Sequence, residues 1–411
     1  MLLQESNKLY CLIDCDSFYA SCEILRNPKL QGKAVCVCRD KDIVLASSYE
    51  AKKLWVKTGT ASRDARKILG NHWVFIEPDF AWYGIISNKL NQFLDSFVNH
   101  TEVFSIDETF CDITWLPELY KLTPEKFAYY LKLKIKKEIG IPTSIWVART
   151  KLLAKLFSDI NKSFGEYAWL DDDMNDALFK TLDVDEICFI WEARSEHLRS
   201  HWYTTVYDFK YADHNFVKKL LGMDGLKVRM ELHNYNILSF ANTQKPKNIT
   251  RSRSFHPEFT KDKELLWCHL LHNVDKAYSE MIKWKLATRY IRVRLKDKDF
   301  LSHSQDMRLD HYTNDKATLL KHIKTLFDQW YKSWIWYRTT GIVFWPLKDT
   351  LHLPKDDLFT YHISQRSVKI QSTVDMINKR YGKDCISNWS LSQNTIYNKT
   401  EAKDNFISFE V

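Results

Sequence analysis

Glycine is scarce in this chain of 411 residues: there are 10, against 15 tryptophans. Average usage is roughly 7%, which would give about 29. A folded chain of this length still needs positive-φ positions, so fewer turns do not explain the deficit. Paired cysteines at metal-binding spacing are missing too. The nine cysteines, at 11, 15, 22, 36, 38, 111, 188, 268 and 385, include no C-x-x-C. That argues against a zinc site or a disulfide framework and for free thiols in a reducing compartment. No apolar run approaches the length of a bilayer span, and MLLQESNKLYCLIDCD has no basic stretch leading into an apolar one. The expectation is a soluble cytoplasmic protein with no membrane partner.

What is present is ordinary in amount and uneven in place. Apolar residues make up 45% and charged residues 27%, the proportions of a globular chain with room for two to four domains. The net charge is +8, but residues 241–411 hold 29 basic and 19 acidic side chains while the remainder holds 31 and 33. A basic C-terminal part beside a slightly acidic N-terminal part suggests a polyanion-gripping module joined to a site built from carboxylates. A solvated surface that is merely basic is the plainer alternative.

Periodicity gives the organisation. LYCLID (9–14) reads as a buried strand delivering acids at its end. SFYASCEIL is helix-like, KAVCVCRD and DIVLASS are β-rich, and YEAKKL and DARKIL are short helices. After the strand HWVFIEPDF, AWYGIISNKLNQFLDSF (81–97) is a long amphipathic helix. EVFSIDETFCDIT (102–114) alternates and reads as a hairpin with acids at its turn. A helix over 124–140, the strand TSIWVA (143–148) and the helix TKLLAKLFSDI (150–160) follow. This order predicts an α+β fold with a ferredoxin-like core. Short helices occupy 166–240, and ANTQKPKNIT (241–250) reads as a linker. A second α+β domain follows, with strands at 287–296 and 339–347 around the helix 316–331.

Asp14 and Asp16 close one strand, and Asp107 and Glu108 sit at the turn of another. Two such tips on neighbouring strands can hold two divalent cations with oxygen ligands, as Mg²⁺ prefers. Either pair alone reads more simply as turn residues. Both pairs within one ferredoxin-like pattern favour a site, because clustered carboxylates repel unless a cation compensates them.

IDCDSFYASCE (13–23) followed by FSIDETFCDIT (104–114) resembles the paired signatures of the Y-family, translesion DNA polymerases. SSYEAKK (47–53) resembles their nucleotide segment, and TKLLAKLFSD (150–159) their palm helix. RSRSF (251–255), YRTTGIVFWPLKD (337–349) and DDLF (356–359) make the UmuC branch the nearest in appearance. The resemblance implies a ferredoxin-like palm with small fingers over 1–165 (fingers about 20–75), a helix–hairpin–helix thumb over 166–240 and a little finger over 245–355. A tail fills 356–411. It also implies an error-prone polymerase of the SOS DNA-damage response that adds dNTPs to a primer 3′ end with two Mg²⁺ ions and no proofreading nuclease.

By the same resemblance, Asp14, Asp107, Glu108 and the backbone carbonyl of Cys15 are metal ligands, with Asp16 behind them. Tyr19 is a steric gate against the ribose 2′-hydroxyl, with Phe18 beside it. Tyr49, Lys52 and Lys155 contact the triphosphate, while Lys151 reads as a solvated helix residue. Arg194, Arg251 and Arg253 are candidate DNA contacts. Primer–template DNA and dNTP are the implied partners, and the UmuC likeness adds a UmuD-type dimer and RecA. KDDLF (355–359) reads either as a sliding-clamp peptide with Lys355 in place of the usual glutamine or as a solvated acidic turn. Two other readings stay open: a catalytically weak DNA-binding scaffold of the damage response, and a nucleotide cyclase built on the same palm.

The resemblance also gives the glycine deficit an address. Trp55, Trp146, Trp191 and Trp202 stand where the family has glycine, and Trp284, Trp334 and Trp345 at plausible little-finger glycine positions. Trp73, Trp115, Trp169, Trp267, Trp330, Trp336 and Trp389 show no glycine role. Substitution in one direction at so many places suggests UGA codons that the source organism reads as glycine.

Overall fold

LYCLID forms strand β1 (Tyr10–Cys15), buried almost throughout because both faces of its sheet are covered. The computed structural model describes residues 7–352 apart from 40–42, 71–72, 99, 161–164, 239–244 and 256–258, with scattered residues between 369 and 380. KDDLF and almost all of the tail lie outside the described residues. The chain divides into two units near residue 242.

After β1 the chain leaves through α1 (Phe18–Arg26) into a small sheet of β2 (Ala34–Cys38), β3 (Val44–Ser47) and β4 (Trp73–Ile76), in the order β3-β2-β4. Helices α2 (Tyr49–Lys53) and α3 (Ser62–Leu69) connect β3 to β4. The long helix α4 (Phe80–Phe97) returns to the main sheet. There β5 (Thr101–Val103) and β6 (Glu108–Asp112) make the expected antiparallel hairpin. A short α5 (Leu116–Leu119) precedes α6 (Pro124–Ile139), which stops at Gly140 with φ 86°. β7 (Thr143–Ala148), α7 (Lys151–Ile160) and β8 (Glu166–Trp169) complete a sheet of order β5-β6-β1-β7-β8. Thus β1, α4, β5, β6, α6 and β7 form the ferredoxin-like βαββαβ unit, with the small sheet inserted after β1.

Strand alternation divides the core between the two faces. Cys11, Ile13, Ile145 and Val147 pack with Leu90 and Leu94 of α4 and Leu131 and Ile135 of α6. Leu12, Phe110 and Trp146 face the other way, onto Leu152 and Leu156 of α7. That second core runs on into α8 (Asp172–Phe179), α9 (Glu192–Arg199), α10 (Val206–Lys210) and α11 (His214–Leu232) through Phe179, Leu198, Val206 and Phe209. α11 is broken at Gly222, whose φ of 70° only glycine takes easily.

The second unit is an antiparallel sheet of order β11-β10-β12-β9, from β9 (Ile249–Ser254), β10 (Leu286–Asp297), β11 (Ser302–Thr313) and β12 (Tyr337–Asp349). Helices α12 (Lys263–Lys283) and α13 (Lys316–Trp330) cover one face, meeting Ile291, Val293, Leu295, Ile342 and Phe344. The eight described cysteines are free thiols.

Candidate active site

Antiparallel pairing sets Asp14 opposite Glu108 on β6 and opposite Ser144 on β7. The Cys15 N–H donates to the Asp107 carbonyl at 2.9 Å, tying the β5–β6 turn to the end of β1. The two acidic tips therefore meet at one end of one sheet. The side chains of Asp16, Asp107 and Glu108 are already engaged. Lys155 Nζ donates to Glu108 Oε1 at 2.7 Å and to Asp159 Oδ1 at 3.1 Å. Ser105 Oγ donates to Asp107 Oδ1, and Ser144 Oγ donates to Asp16 Oδ1 at 2.7 Å. Asp16 Oδ2 is buried without a hydrogen-bond partner.

Burial, followed by the charges of Asp107, Glu108 and Asp16, pushes the Asp14 carboxyl up to about 8, with Lys155 opposing. Burial also raises Asp16, against the Ser144 hydrogen bond. Burial opposes the charge on Lys155, but Glu108 and Asp159 overcome it and hold the ammonium above the ordinary lysine value. The Cys15 thiol is fully buried and pushed well above its usual range, so this residue offers a ligand only its carbonyl. The donor set of Asp14, Asp107, Glu108 and that carbonyl is all oxygen, which fits a hard divalent cation such as Mg²⁺. Among the described residues no three acidic, His or Cys side chains are drawn into a closed cage. A cation has to win Glu108 from Lys155 and Asp107 from Ser105.

α1 begins at Ser17, held in the left-handed region at φ 50°. Phe18 is buried, and Tyr19 is half-buried and stacked on Tyr83 of α4, centroids 4.6 Å apart and planes at 22°. Phe80 meets Tyr19 edge-on at 5.8 Å. Tyr83 is itself fixed, its hydroxyl donating to the buried Glu23 Oε1 at 2.7 Å. Sequence reasoning missed Tyr83, Phe80 and Glu23. Phe80 and Tyr83 have helical spacing, but nothing local says which helix they face.

Lys52 reaches from α2 to Ser17 Oγ, 2.8 Å away, beside the acids. Tyr49 opens α2 with an exposed ring, 4.7 Å from Lys53 Nζ. Lys151 is not the solvated residue expected. It is buried and paired with Glu102 of β5 at 2.5 Å, because α7 lies directly on the sheet. A mainly apolar cavity of about 150 Å³ lies beside this pair, lined by Phe104, Phe110, Lys155, Cys188 and Phe189.

The candidate DNA contacts are placed unevenly. Arg194 on α9 donates to the Phe189 carbonyl at 3.2 Å. Arg251 and Arg253 share the face of β9 that carries Ile249 and is turned to α12, where Arg251 pairs with Glu280. Arg253 there acts on His269, lowering its pKa, though burial is the larger cause. The open face of the same sheet carries Arg292, Arg294 and Lys296, alternating with the buried Ile291, Val293 and Leu295. Arg292 is bound to Asp306 of β11, one of its bonds measuring 2.7 Å.

Residues 13–159 match the impB/mucB/samB family, and residues 246–352 match that family's C-terminal domain. The chain is 28% identical over 404 residues to "DNA polymerase IV" of Oceanobacillus iheyensis, covering 96% of this chain and 92% of that one. It is 27% identical to "DNA polymerase IV 1" of Bacillus subtilis, covering 90% of each. Among solved structures, a Y-family DNA polymerase chimera of Dbh and Dpo4 matches with TM-score 0.65 and 23% identity, covering 83% of this chain and 100% of that chain. An insertion ternary complex of Dbh DNA polymerase gives 0.51 at 23%, with the same coverage. These structural likenesses bear on the fold alone.

Proposed function

The chain belongs to the impB/mucB/samB family, the Y-family DNA polymerases, and from that premise we propose that it copies damaged template by adding dNTPs to a primer 3′ end. The primer hydroxyl attacks the α-phosphate in line, and pyrophosphate leaves. The observation that carries this reading is the register that sets Asp14 against Glu108 with Asp107 tied to the same strand end.

Asp14, Asp107, Glu108 and the Cys15 carbonyl are the donors for two divalent cations, which when bound supply activation of the attacking hydroxyl and neutralisation of the triphosphate. Lys52 and Lys155 hold the β- and γ-phosphates, and the Tyr49 hydroxyl donates to them. Triphosphate competes with Glu108 for Lys155, so one exchange frees a metal ligand and binds the substrate. Lysine at 52 holds phosphate as a point charge, without the fork of an arginine. The Tyr19 face packs on the sugar and leaves no room for a 2′-hydroxyl. In the little finger, phosphates lie along Arg294 and Lys296.

The relatives' printed name supports the DNA polymerase IV branch over the UmuC branch, on which the expectation of a UmuD-type dimer and RecA rested. Among the described residues no helix is long and apolar enough to cross a membrane, and we place the enzyme with the DNA in the cytoplasm. The cyclase alternative has no support in the family match. Primer extension with Mg²⁺ tests the reading against the scaffold alternative. Wild type extends the primer, and Asp107→Ala lowers the rate by about a hundred- to a thousandfold, the scale of lost electrostatic stabilisation at a transition state. Equal extension by both proteins ends the proposal.

A further inference from the structure

Two of the tryptophans occupy backbone that tryptophan is poorly made for. Trp55 and Trp202 both have φ 66°. Each closes a helix with the same pair of hydrogen bonds. After α2, the Trp55 N–H donates to the Lys52 carbonyl at 3.0 Å and the Val56 N–H to the Ala51 carbonyl at 3.1 Å. After α9, the Trp202 N–H donates to the Arg199 carbonyl at 3.0 Å and the Tyr203 N–H to the Leu198 carbonyl at 3.2 Å. This is the Schellman closure, in which the left-handed residue is usually glycine. Its accompanying apolar contact is present too: Ala51 with Val56 in one core, Leu198 with Tyr203 in another.

The indoles gain nothing in return. Trp55 is 78% exposed and Trp202 is 88% exposed. Two other tryptophans of the chain are well engaged. Trp82 donates its indole N–H to the Cys22 carbonyl at 3.1 Å, and Trp169 stacks on Phe157 at 4.6 Å. Where a different residue closes a helix in this way, it has a reason. Asn234 ends α11 at φ 63°, and its amide donates to Asp172 Oδ1 at 2.8 Å. Lys121 does so with a flexible chain that reaches solvent. Trp146, by contrast, sits in the sheet core on an ordinary strand whose backbone makes no demand for glycine.

We propose that residues 55 and 202 are glycine in the native protein, encoded by UGA triplets that the source organism reads as glycine and that have been written as tryptophan. One change of reading then accounts for two bare indoles and two left-handed helix ends, and it moves the low count of 10 glycines toward the usual figure. The inference stands whether or not the chain is a polymerase. It bears on function at one point, since residue 55 ends the helix that carries Tyr49 and Lys52.

The codons decide first. UGA at 55 and 202 is the expected result, and UGG at either overturns the proposal for that position. Peptides from native cells then show glycine at both; tryptophan there overturns it even with UGA. In the full chain made recombinantly, Trp55→Gly and Trp202→Gly each raise the folding equilibrium constant about five- to thirtyfold, because a left-handed non-glycine residue costs roughly 1–2 kcal/mol. Trp55→Ala and Trp202→Ala give no such gain, having a β-carbon still. Trp115→Gly, at an equally exposed tryptophan with φ −99°, gives none either. Equal effects of glycine and alanine overturn the geometric argument.

Discussion

Tyr83 stacks on Tyr19, the proposed steric gate, and is locked by its hydroxyl, so the proposed sugar pocket depends on a residue that need not touch the sugar. The Tyr19–Tyr83 stack fixes the plane of the ring that, on the proposed reading, a 2′-oxygen would meet. An aromatic pair of this kind is worth about 0.5–1.5 kcal/mol. Tyr83→Leu should therefore lower discrimination of dNTP over rNTP by up to about tenfold, and Tyr19→Ala by more. The readout is the ratio of kcat/KM for the two sugars; equal loss on both means that Tyr83 is only packing. Asp14 poses the opposite problem, a residue that the proposed metal site keeps at the expense of stability. Its carboxyl keeps a proton in the fold up to about pH 8, whereas the unfolded chain loses it near about pH 4. Between those values the folded state binds more protons, so metal-free stability falls as pH rises. Asp14→Asn removes that titration. In EDTA its Tm should exceed the wild-type value by a margin that grows from pH 5 to pH 8, while primer extension is lost. A margin that does not change with pH refutes the argument.

α7 is held to the sheet by the Lys151–Glu102 pair, whose side chains are only 7% and 17% exposed. Removing one partner of such a pair leaves an uncompensated charge and costs about 3–5 kcal/mol, whereas an apolar pair of similar volume is often neutral. Glu102→Ala should therefore lower the denaturation midpoint strongly, and Glu102→Leu with Lys151→Met should recover most of it. If the single variant melts like wild type, the pair does not anchor the helix. Lys151 also marks where sequence reading stops. Its neighbours Leu152, Leu153 and Leu156 announce the buried face of α7 by spacing, but a lysine looks solvated until the strand that supplies its partner is known. β6 was legible because its hairpin segment alternates, β7 because TSIWVA is a short apolar run, and the acids at the ends of β1 and β6 because they cluster. β11 was not, since SHSQDMRLDHYT buries little beyond Leu309 and reads as polar loop. The Glu23–Tyr83 bond spans 60 residues and leaves no local trace.

At the scale of the molecule, the surplus of base over acid beyond residue 241 becomes useful only once the sheet sorts it by face. Alternation along β10 sends Ile291, Val293 and Leu295 to the helices and Arg292, Arg294 and Lys296 to the open side. On β9 the same rule works the other way. Arg251 and Arg253 share a face with Ile249, and Arg251 is spent on Glu280. Arg292 is likewise occupied by Asp306, which leaves Arg294 and Lys296 of β10 and Arg308 of β11, opposite Tyr290, as open-face cations for phosphate. Each phosphate contact releases counterions, so the affinity of the full chain for primer–template DNA should fall steeply with salt and depend little on sequence. Arg294→Ala and Lys296→Ala should each reduce the slope of log K against log salt by about 1. Arg251→Ala should leave that slope unchanged, whatever it does to stability, because its charge is already neutralised within the domain. Fluorescence anisotropy between 50 and 200 mM salt measures all three. A slope that responds to Arg251 and not to Arg294 would put the DNA on the helical face and reverse the reading of this domain.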